Sequence, residues 1–377
     1  MIKKFFIEKM RSSLSDDISR HVMTGRQMDG SMIDWIERNV VPFSRDFLSK
    51  ECSDVDSFSS SFDRIFSTNK TRTLVEKWTV NHIHCLLLVL DDVFHRGPAG
   101  IILQDCPVNR YVAQRYSEKA GAAVNVNWKK PGSAITGMAE VFLRILFQVI
   151  LSLKNGLVLK NNKKKFKVMR ESIWGLYDGL YFHDDFFVDQ NVIKEDDVIF
   201  FSRGRNPGGC REKALQDVKK SKYSSFIMGK LPVSINVLLF RIIPKHIVRT
   251  GLLLAGFITA KDFSLIMAVH GVFSHQALHY EGVFSNFDIG CELGHSYFAA
   301  DHIAQSIICN NHGAKYYLIQ WADNSLYSNR CILSALGCDA LFIWGKIHVS
   351  GEERNIPELV PTGYPFKRFV LDSSTRK

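Results

Sequence analysis

The C-terminal part of the chain constrains its fold most strongly. Between Gly313 and Pro365 lie three short apolar runs, GAKYYLIQWAD, CDALFIWG and ELVPTGYPF, each closed by polar residues or by Gly and Pro. Apolar runs of this length are typical of parallel strands that are buried on both faces. The sequence therefore predicts strands beginning at Lys315, Ala340 and Leu359.

Earlier segments predict further strands that alternate with helices. The predicted strands are Ile101–Asp105, Asp197–Arg203 and Ser264–His270. A helix with Asn109 as N-cap and Gly121 as C-cap is expected after the first strand, and another helix is expected over 301–310. Strands that alternate with helices indicate an α/β fold with a Rossmann-like parallel sheet. Residues 1–95 are predicted to be mainly helical.

Composition and charge narrow the class of protein. The 377 residues are 46% hydrophobic and 23% charged, which is typical of a globular protein and not of a disordered one. The net charge of +10 predicts an anionic partner, which could be a phosphate-rich small molecule, a nucleic acid or an anionic membrane. The basic residues lie beside apolar helices and are not interleaved with aromatic residues, so a nucleic-acid partner is not expected.

The cysteine spacing and the N-terminal sequence indicate the cellular compartment of the protein. None of the eight cysteines forms a CxxC pair, so a zinc ribbon is not expected, and scattered thiols favour a reducing compartment. The first residues, MIKKFFIEKMRSS, lack the apolar core of a secretory signal. No run of 18 uncharged apolar residues exists, so a spanning helix is not expected. These features predict a cytoplasmic protein.

Two stretches combine apolar faces with cations. Residues 138–153 predict a helix with one narrow polar stripe, and 231–260 predict apolar segments interrupted by Arg241, Lys245 and Arg249. A basic cluster follows the first stretch and contains Lys163, Lys164, Lys165 and Lys167. This pattern predicts helices that lie on an anionic membrane surface, near 138–170 and 231–260. The alternative is that both are buried helices packed on the sheet.

The densest polar segment runs from His270 to His302. In an open parallel sheet, ligands bind outside the carboxyl ends of the strands, and His270 and Gly271 would lie there if Ser264–His270 is a strand. His270, His275 and Asp301 are therefore the candidate catalytic residues, as general bases for a hydroxyl nucleophile. Asp301 could instead be a first-turn acid that stabilises its helix. His275 and His279 lack a third ligand, so no metal site is expected.

A glycine-rich cationic segment follows the predicted strand Asp197–Arg203. Arg203, Arg205, Gly208 and Gly209 could hold a phosphate through guanidinium and backbone N–H groups, with Gly271 as a further close-approach position. The segment lacks the Lys-Ser/Thr of a P-loop, so hydrolysis of a nucleoside triphosphate is not expected. A solvated surface loop is the alternative interpretation.

Several segments, in this order, resemble bacterial surface-carbohydrate biosynthesis proteins. The segments are Gln104–Asn109, Asp197–Arg203, 288–302, Phe342–Gly345 and Thr362–Pro365. The resemblance covers roughly 96–366 and is to the first half of the GT-B glycosyltransferase architecture. It implies transfer of a sugar from a nucleotide-activated donor, as substrate and without a further cofactor, to a lipid-linked or glycan acceptor at the cytoplasmic membrane face.

The same resemblance implies how the chain is organised. It suggests a helical region over 1–95, a GT-B-type acceptor domain over 96–366 and a tail over 367–377. In that architecture a second domain binds the donor, so a separate donor-domain chain is a possible partner. A non-catalytic binding or scaffold module of the same pathway and a truncated glycerophosphotransferase-like protein are the alternatives.

Overall fold

The computed structural model describes most of the central part of the chain. It covers residues 30–96, 100–130, 157–158, 163–171, 193–202, 224–228, 231–294, 300–319, 335–343 and 358–361, with seven helical positions between 138 and 150. The first part of the predicted helical region, 1–29, and the predicted tail with the residues before it, 362–377, therefore lie outside the described residues.

The described chain begins with three helices. They are α1 (Gly30–Glu51), α2 (Val55–Phe66) and α3 (Thr71–Arg96). Most of the segment from Cys52 to Ser67 forms α2, and its Phe58, Phe62 and Phe66 are buried. These helices belong to the same hydrophobic cluster as the helices that cover the main sheet, so their apolar faces share one core.

A small βαβ unit follows. Strand β1 (Ile101–Gln104), helix α4 (Pro107–Ala120) and strand β2 (Val126–Lys129) form a two-stranded parallel sheet of their own. The predicted C-cap is confirmed, because Gly121 has a φ of 69°, which glycine adopts without strain. The predicted N-cap was wrong. Cys106 precedes the helix, and the Asn109 amide within its first turn donates to the Gln104 carbonyl.

The main sheet has seven parallel strands. They are β4 (Lys164–Glu171), β5 (Val198–Ser202), β6 (Ser224–Ile227), β8 (Phe287–Gly294), β9 (Lys315–Ile319), β10 (Ala340–Ile343) and β11 (Leu359–Pro361). Their spatial order is β11-β10-β9-β8-β4-β5-β6, and a separate short pair joins β3 (Leu157–Val158) to β7 (Val233–Ser234). The expected α/β class and the three C-terminal strands are confirmed, and the sheet is Rossmann-like.

Three long helices lie on the face of the sheet that carries the main core. They are α5 (235–256, with a π-helical part Leu238–Arg249), α6 (Phe263–Asn286) and α7 (Asp301–Asn311). Pro244 lies inside the π-helical part and has no amide hydrogen to donate, which favours a departure from the regular α-helical bonding. Gly313, with a φ of 80°, ends α7 as expected.

The predicted strand Ser264–His270 was wrong, because these residues form the first part of α6. Most of α6 is buried, since it packs between the sheet and the outer helices. A helix buried on most of its surface shows no clear apolar stripe, so its sequence resembles that of a buried strand.

In the two central strands, β4 and β8, the alternation of side chains between the two faces of the sheet is interrupted at one point. Phe166 and Ile289 belong to the main core, whereas Val168 and Cys291, two residues further on, pack in the smaller cluster on the opposite face. Residues two apart in a regular strand share a face, so the alternation shifts by one between them. At this point an alanine Cβ at Gly290 would lie 2.9 Å from the Lys167 carbonyl oxygen.

Candidate functional site

The strand order of the main sheet implies a crevice at its carboxyl edge. From β4 the chain proceeds to β5 on one side, whereas β8 continues to β9 on the other side. The neighbouring strands β4 and β8 therefore form the topological switch point, because the next main-sheet strand along the chain lies on a different side for each of them. In doubly wound sheets this is where ligands bind.

Asp301 lies beside this crevice, because it is the first residue of the helix that follows β8. Its Oδ2 atom accepts a hydrogen bond of 3.0 Å from Nε2 of Gln276 on α6. Gln276 is linked in turn to Gln305, whose Oε1 accepts a 2.9 Å hydrogen bond from the Tyr316 hydroxyl. This polar chain fixes the carboxylate relative to the sheet, and the N-terminus of α7 favours its negative charge.

The positional argument for His270 and Gly271 was wrong. Both lie inside α6 and not at a strand end, and His270 is fully buried, with the Ser274 hydroxyl 3.2 Å from its ring nitrogens and the Phe62 ring against it. Burial, assisted by the nearby His246, lowers the pKa of His270 to about 3, so its imidazole is neutral. A side chain enclosed in this way has no path to a substrate at the crevice.

His275 is on the same helix but is exposed. Its ring centroid lies 5.0 Å from that of His279, in an edge-to-face arrangement. Within the described ranges, no group of three or more His, Cys, Asp or Glu side chains is arranged to hold a metal ion.

The predicted phosphate-binding residues Arg203, Arg205, Gly208 and Gly209 lie outside the described residues. The described part of β5 ends at Ser202, at the carboxyl edge of the sheet and next to the switch-point strand β4.

The predicted membrane-surface lysines lie on and beside a strand. The segment around them was expected to be helical, and this was wrong for 164–171, which form β4. Lys164 donates to the Ser224 hydroxyl at 3.1 Å, Lys165 lies 4.0 Å from Asp288, and Lys167 forms a 3.0 Å ion pair with Asp197. Lys163 immediately precedes the strand. These lysines form a cationic margin at the amino edge of the sheet, opposite the crevice.

The sequence analysis did not identify a buried cluster of charged and polar side chains around Glu281. Glu281 lies on α6 and is buried, with His246 Nε2 3.3 Å from its Oε1 atom and His312 Nε2 3.3 Å from its Oε2 atom. Arg241 Nη1 donates to His312 Nδ1 at 3.0 Å, and Arg241 Nε lies 3.7 Å from Glu281 Oε2. The cluster joins α5, α6 and the end of α7.

The partners of Glu281 keep it ionised. Burial by itself would raise the pKa of this carboxyl, but hydrogen bonding with His246 and His312 outweighs that effect and holds the pKa well below its ordinary value. Burial is the main cause that lowers the pKa of His312. The Arg241 guanidinium, which is always charged, supplies the permanent compensating charge.

Two other buried carboxylates have different surroundings. Glu292 on β8 accepts hydrogen bonds from the Tyr280 hydroxyl (2.6 Å) and the Cys309 thiol (3.3 Å), and burial raises the pKa of that thiol well above its ordinary value. Asp262 precedes α6 and is buried near Asp54. Burial, with a contribution from Asp54, raises the pKa of Asp262 to about 6.

Comparison with known proteins identified no match: no family model, no curated protein and no solved structure is significantly similar to this chain. In the part of the chain that the structure describes, none of the helices combines the length and hydropathy needed to cross a bilayer.

Proposed function

We propose that this chain is a glycosyltransferase, or the acceptor-binding half of one, in bacterial surface-polysaccharide biosynthesis. It would transfer a sugar from a nucleotide-activated donor to a lipid-linked or glycan acceptor at the cytoplasmic face of the membrane. The observation that supports the proposal is the switch point between β4 and β8 in a seven-stranded parallel sheet, because doubly wound folds bind ligands at the carboxyl edge of such a point.

Asp301 is the residue best placed to serve as general base. In the proposed step the acceptor hydroxyl oxygen bonds to the anomeric carbon of the donor sugar, and the bond from that carbon to the nucleotide phosphate oxygen breaks. The nucleoside diphosphate leaves with the bonding electrons, and the hydroxyl proton passes to the Asp301 carboxylate. The hydrogen bond from Gln276 orients that carboxylate.

The glycine-rich segment that starts after Ser202 would contribute to phosphate binding. The preceding residue, Ser202, ends β5 next to the switch-point strand β4, and Arg203 and Arg205 would compensate the charge of a phosphate on the donor or on a lipid-linked acceptor. A donor-binding domain on another chain is compatible with this arrangement, because the crevice then only needs to hold the acceptor.

A transfer assay tests the proposal. The purified chain is incubated with a panel of nucleotide sugars and CDP-glycerol, with polyprenyl-diphosphate-linked acceptors, and label in the lipid fraction is measured. We expect Asp301→Asn to lower the rate by about 10²–10⁴-fold, in the range of a lost general base. Asp288→Asn is the matched control, because Asp288 is an exposed carboxylate at the amino end of β8, on the opposite edge of the sheet.

One observation favours the alternative of a non-catalytic binding module. The same hydrogen bond from Gln276 to Asp301 also gives Asp301 a purely structural role at the start of α7. Under that alternative, Asp301→Asn would leave polymer production in cells unchanged while the protein remains folded. Loss of polymer with an intact fold favours catalysis.

A further inference from the structure

The described residues concentrate their exposed apolar side chains on two helical segments. Of the ten large hydrophobic side chains that are exposed in the described ranges, eight lie on 138–150 or on α5. These eight are Leu143, Leu146, Ile150, Leu239, Phe240, Ile243, Val248 and Leu252. Phe240 and Leu252 are the most exposed of them, at 75% and 70%. Such a concentration marks an interaction surface, whereas single exposed apolar residues are ordinary.

The two segments contact each other and therefore form one surface. The Phe142 ring lies directly over the backbone of Gly251, so that a Cβ at residue 251 would come within 2.6 Å of the Phe142 Cζ atom. Val149 on the first segment and Leu254 on α5 are buried in the main core. Each segment thus packs one side against the protein and leaves its other apolar side exposed. We call the eight exposed residues the apolar surface.

The charges near the apolar surface indicate the kind of partner that it binds. From Leu231 to Lys261 the sequence contains four Lys or Arg residues and no Asp or Glu. Arg249 is exposed next to Val248, and Lys245 is partly exposed, with its ammonium 5.3 Å from the centre of the Phe66 ring. An apolar face beside the cations of α5, a helix that contains no acidic residue, fits the interface of an anionic bilayer, where the side chains enter the acyl boundary and the cations meet the headgroup phosphates.

We infer that the apolar surface formed by 138–150 and α5 docks this protein onto an anionic phospholipid bilayer. The inference rests on the proposed function for its biological sense, since a lipid-linked acceptor is presented at such a bilayer. The docking residues are the aliphatic and aromatic side chains of these two segments. The lysines at 163–167 lie on and beside β4 and have polar partners there, so they contribute long-range attraction only.

Vesicle flotation tests the inference. The full chain is mixed at physiological salt with vesicles of phosphatidylethanolamine and phosphatidylglycerol, and in parallel with vesicles of phosphatidylcholine alone. We expect the protein to float with the anionic vesicles and much less with the neutral ones. The double variant Phe240→Ser and Leu252→Ser should partition about tenfold less, because two side chains no longer enter the apolar layer.

Two controls make the outcome decisive. Ile102→Ser removes an equally exposed apolar side chain (71%) from β1, outside the apolar surface, and should float like the unmodified protein. Circular dichroism checks that all variants are folded. Flotation of the double variant equal to that of the unmodified protein, or no flotation of either, would overturn the inference. So would a dimer in sedimentation velocity that the double variant abolishes while neither protein binds vesicles.

Flotation needs neither donor nor acceptor, so its result is separate from that of the transfer assay. Vesicle binding without transfer leaves the docking surface in place and counts against the enzyme. Transfer to a water-soluble acceptor without vesicle binding supports the enzyme and overturns the docking surface.

Discussion

His246 Nε2 lies 3.3 Å from Glu281 Oε1, and both side chains are buried. His246 is on the π-helical part of α5, whose opposite side carries part of the apolar surface, and Glu281 is on α6. The helix proposed to enter the membrane is therefore attached to the centre of the protein by a buried hydrogen bond as well as by apolar packing.

Removal of the charge of Glu281 should destabilise the protein. Glu281→Gln keeps the size of the side chain but leaves Arg241 without its buried counter-charge, and removal of one partner of a buried ion pair costs about 3 kcal/mol. Urea denaturation should show a free energy of unfolding that is lower by about this amount.

Glu118→Gln is the control for that measurement. Glu118 pairs with Arg115 at 3.2 Å on the surface of α4, and its side chain is half exposed. Exposed ion pairs contribute less than about 1 kcal/mol. Equal destabilisation by the two variants would contradict the role of Glu281 as an anchor of α5.

Low pH should reduce the contribution of the Glu281 cluster to the stability of the protein. The folded pKa of Glu281 is below its ordinary value of 4.5, so the carboxylate stabilises the protein above that pH and loses this contribution as the pH falls towards the folded pKa. The difference in free energy of unfolding between the unmodified protein and Glu281→Gln should shrink below about pH 4.5. A difference that stays constant from pH 7 to pH 3 would contradict the lowered pKa.

Asp262 should show the opposite pH dependence. Its folded pKa of about 6 is above its ordinary value of 3.8, so the folded state retains a proton that the unfolded chain has lost between these values. The contribution of Asp262 to stability therefore falls as the pH rises through this interval and is constant above it. Asp262→Asn should remove that dependence and raise the free energy of unfolding at pH 7 by about 2 kcal/mol. A variant less stable than the unmodified protein at pH 7 would contradict this.

Two glycines should respond in opposite ways to alanine. Gly271→Ala should raise the free energy of unfolding by about 1 kcal/mol, because the residue is inside α6 and nothing lies within 4 Å of the added Cβ. Gly290→Ala should lower it by about 1–3 kcal/mol, because the Cβ would meet the Lys167 carbonyl where β4 and β8 change face. Thermal denaturation of both variants measures this, and a destabilised Gly271→Ala would contradict the helical placement of that residue.

Much of the sheet could be predicted from sequence because its strands are short apolar runs with clear ends. Strands β5, β9, β10 and β11 and helix α7 lie where the sequence predicted them. Strand β4 could not be predicted in the same way, because it begins with lysines. The change of face after Phe166 also breaks the regular alternation that identifies a strand.

Part of the candidate site could be predicted from sequence, but the contacts of its residues could not. The helix that begins at Asp301 was predicted from sequence, but strand β8, which places the start of that helix at the carboxyl edge, was not. The placement of His270 failed because a helix buried on most of its surface and a buried strand have similar composition. The Glu281 cluster joins residues 241, 246, 281 and 312. No local sequence pattern predicts contacts between residues that are so far apart in the chain.

Hydrogen–deuterium exchange tests most directly whether ligands bind at the switch point. Peptides over β4, β8 and the start of α7 are compared with and without a nucleotide sugar and a polyprenyl-diphosphate acceptor, with β1 and β2 as an internal reference. The account predicts slower exchange in peptides covering 164–171 and 300–305 and no change in 101–129. Protection confined to 101–129, or to the outer strands β10 and β11, would contradict a site between β4 and β8.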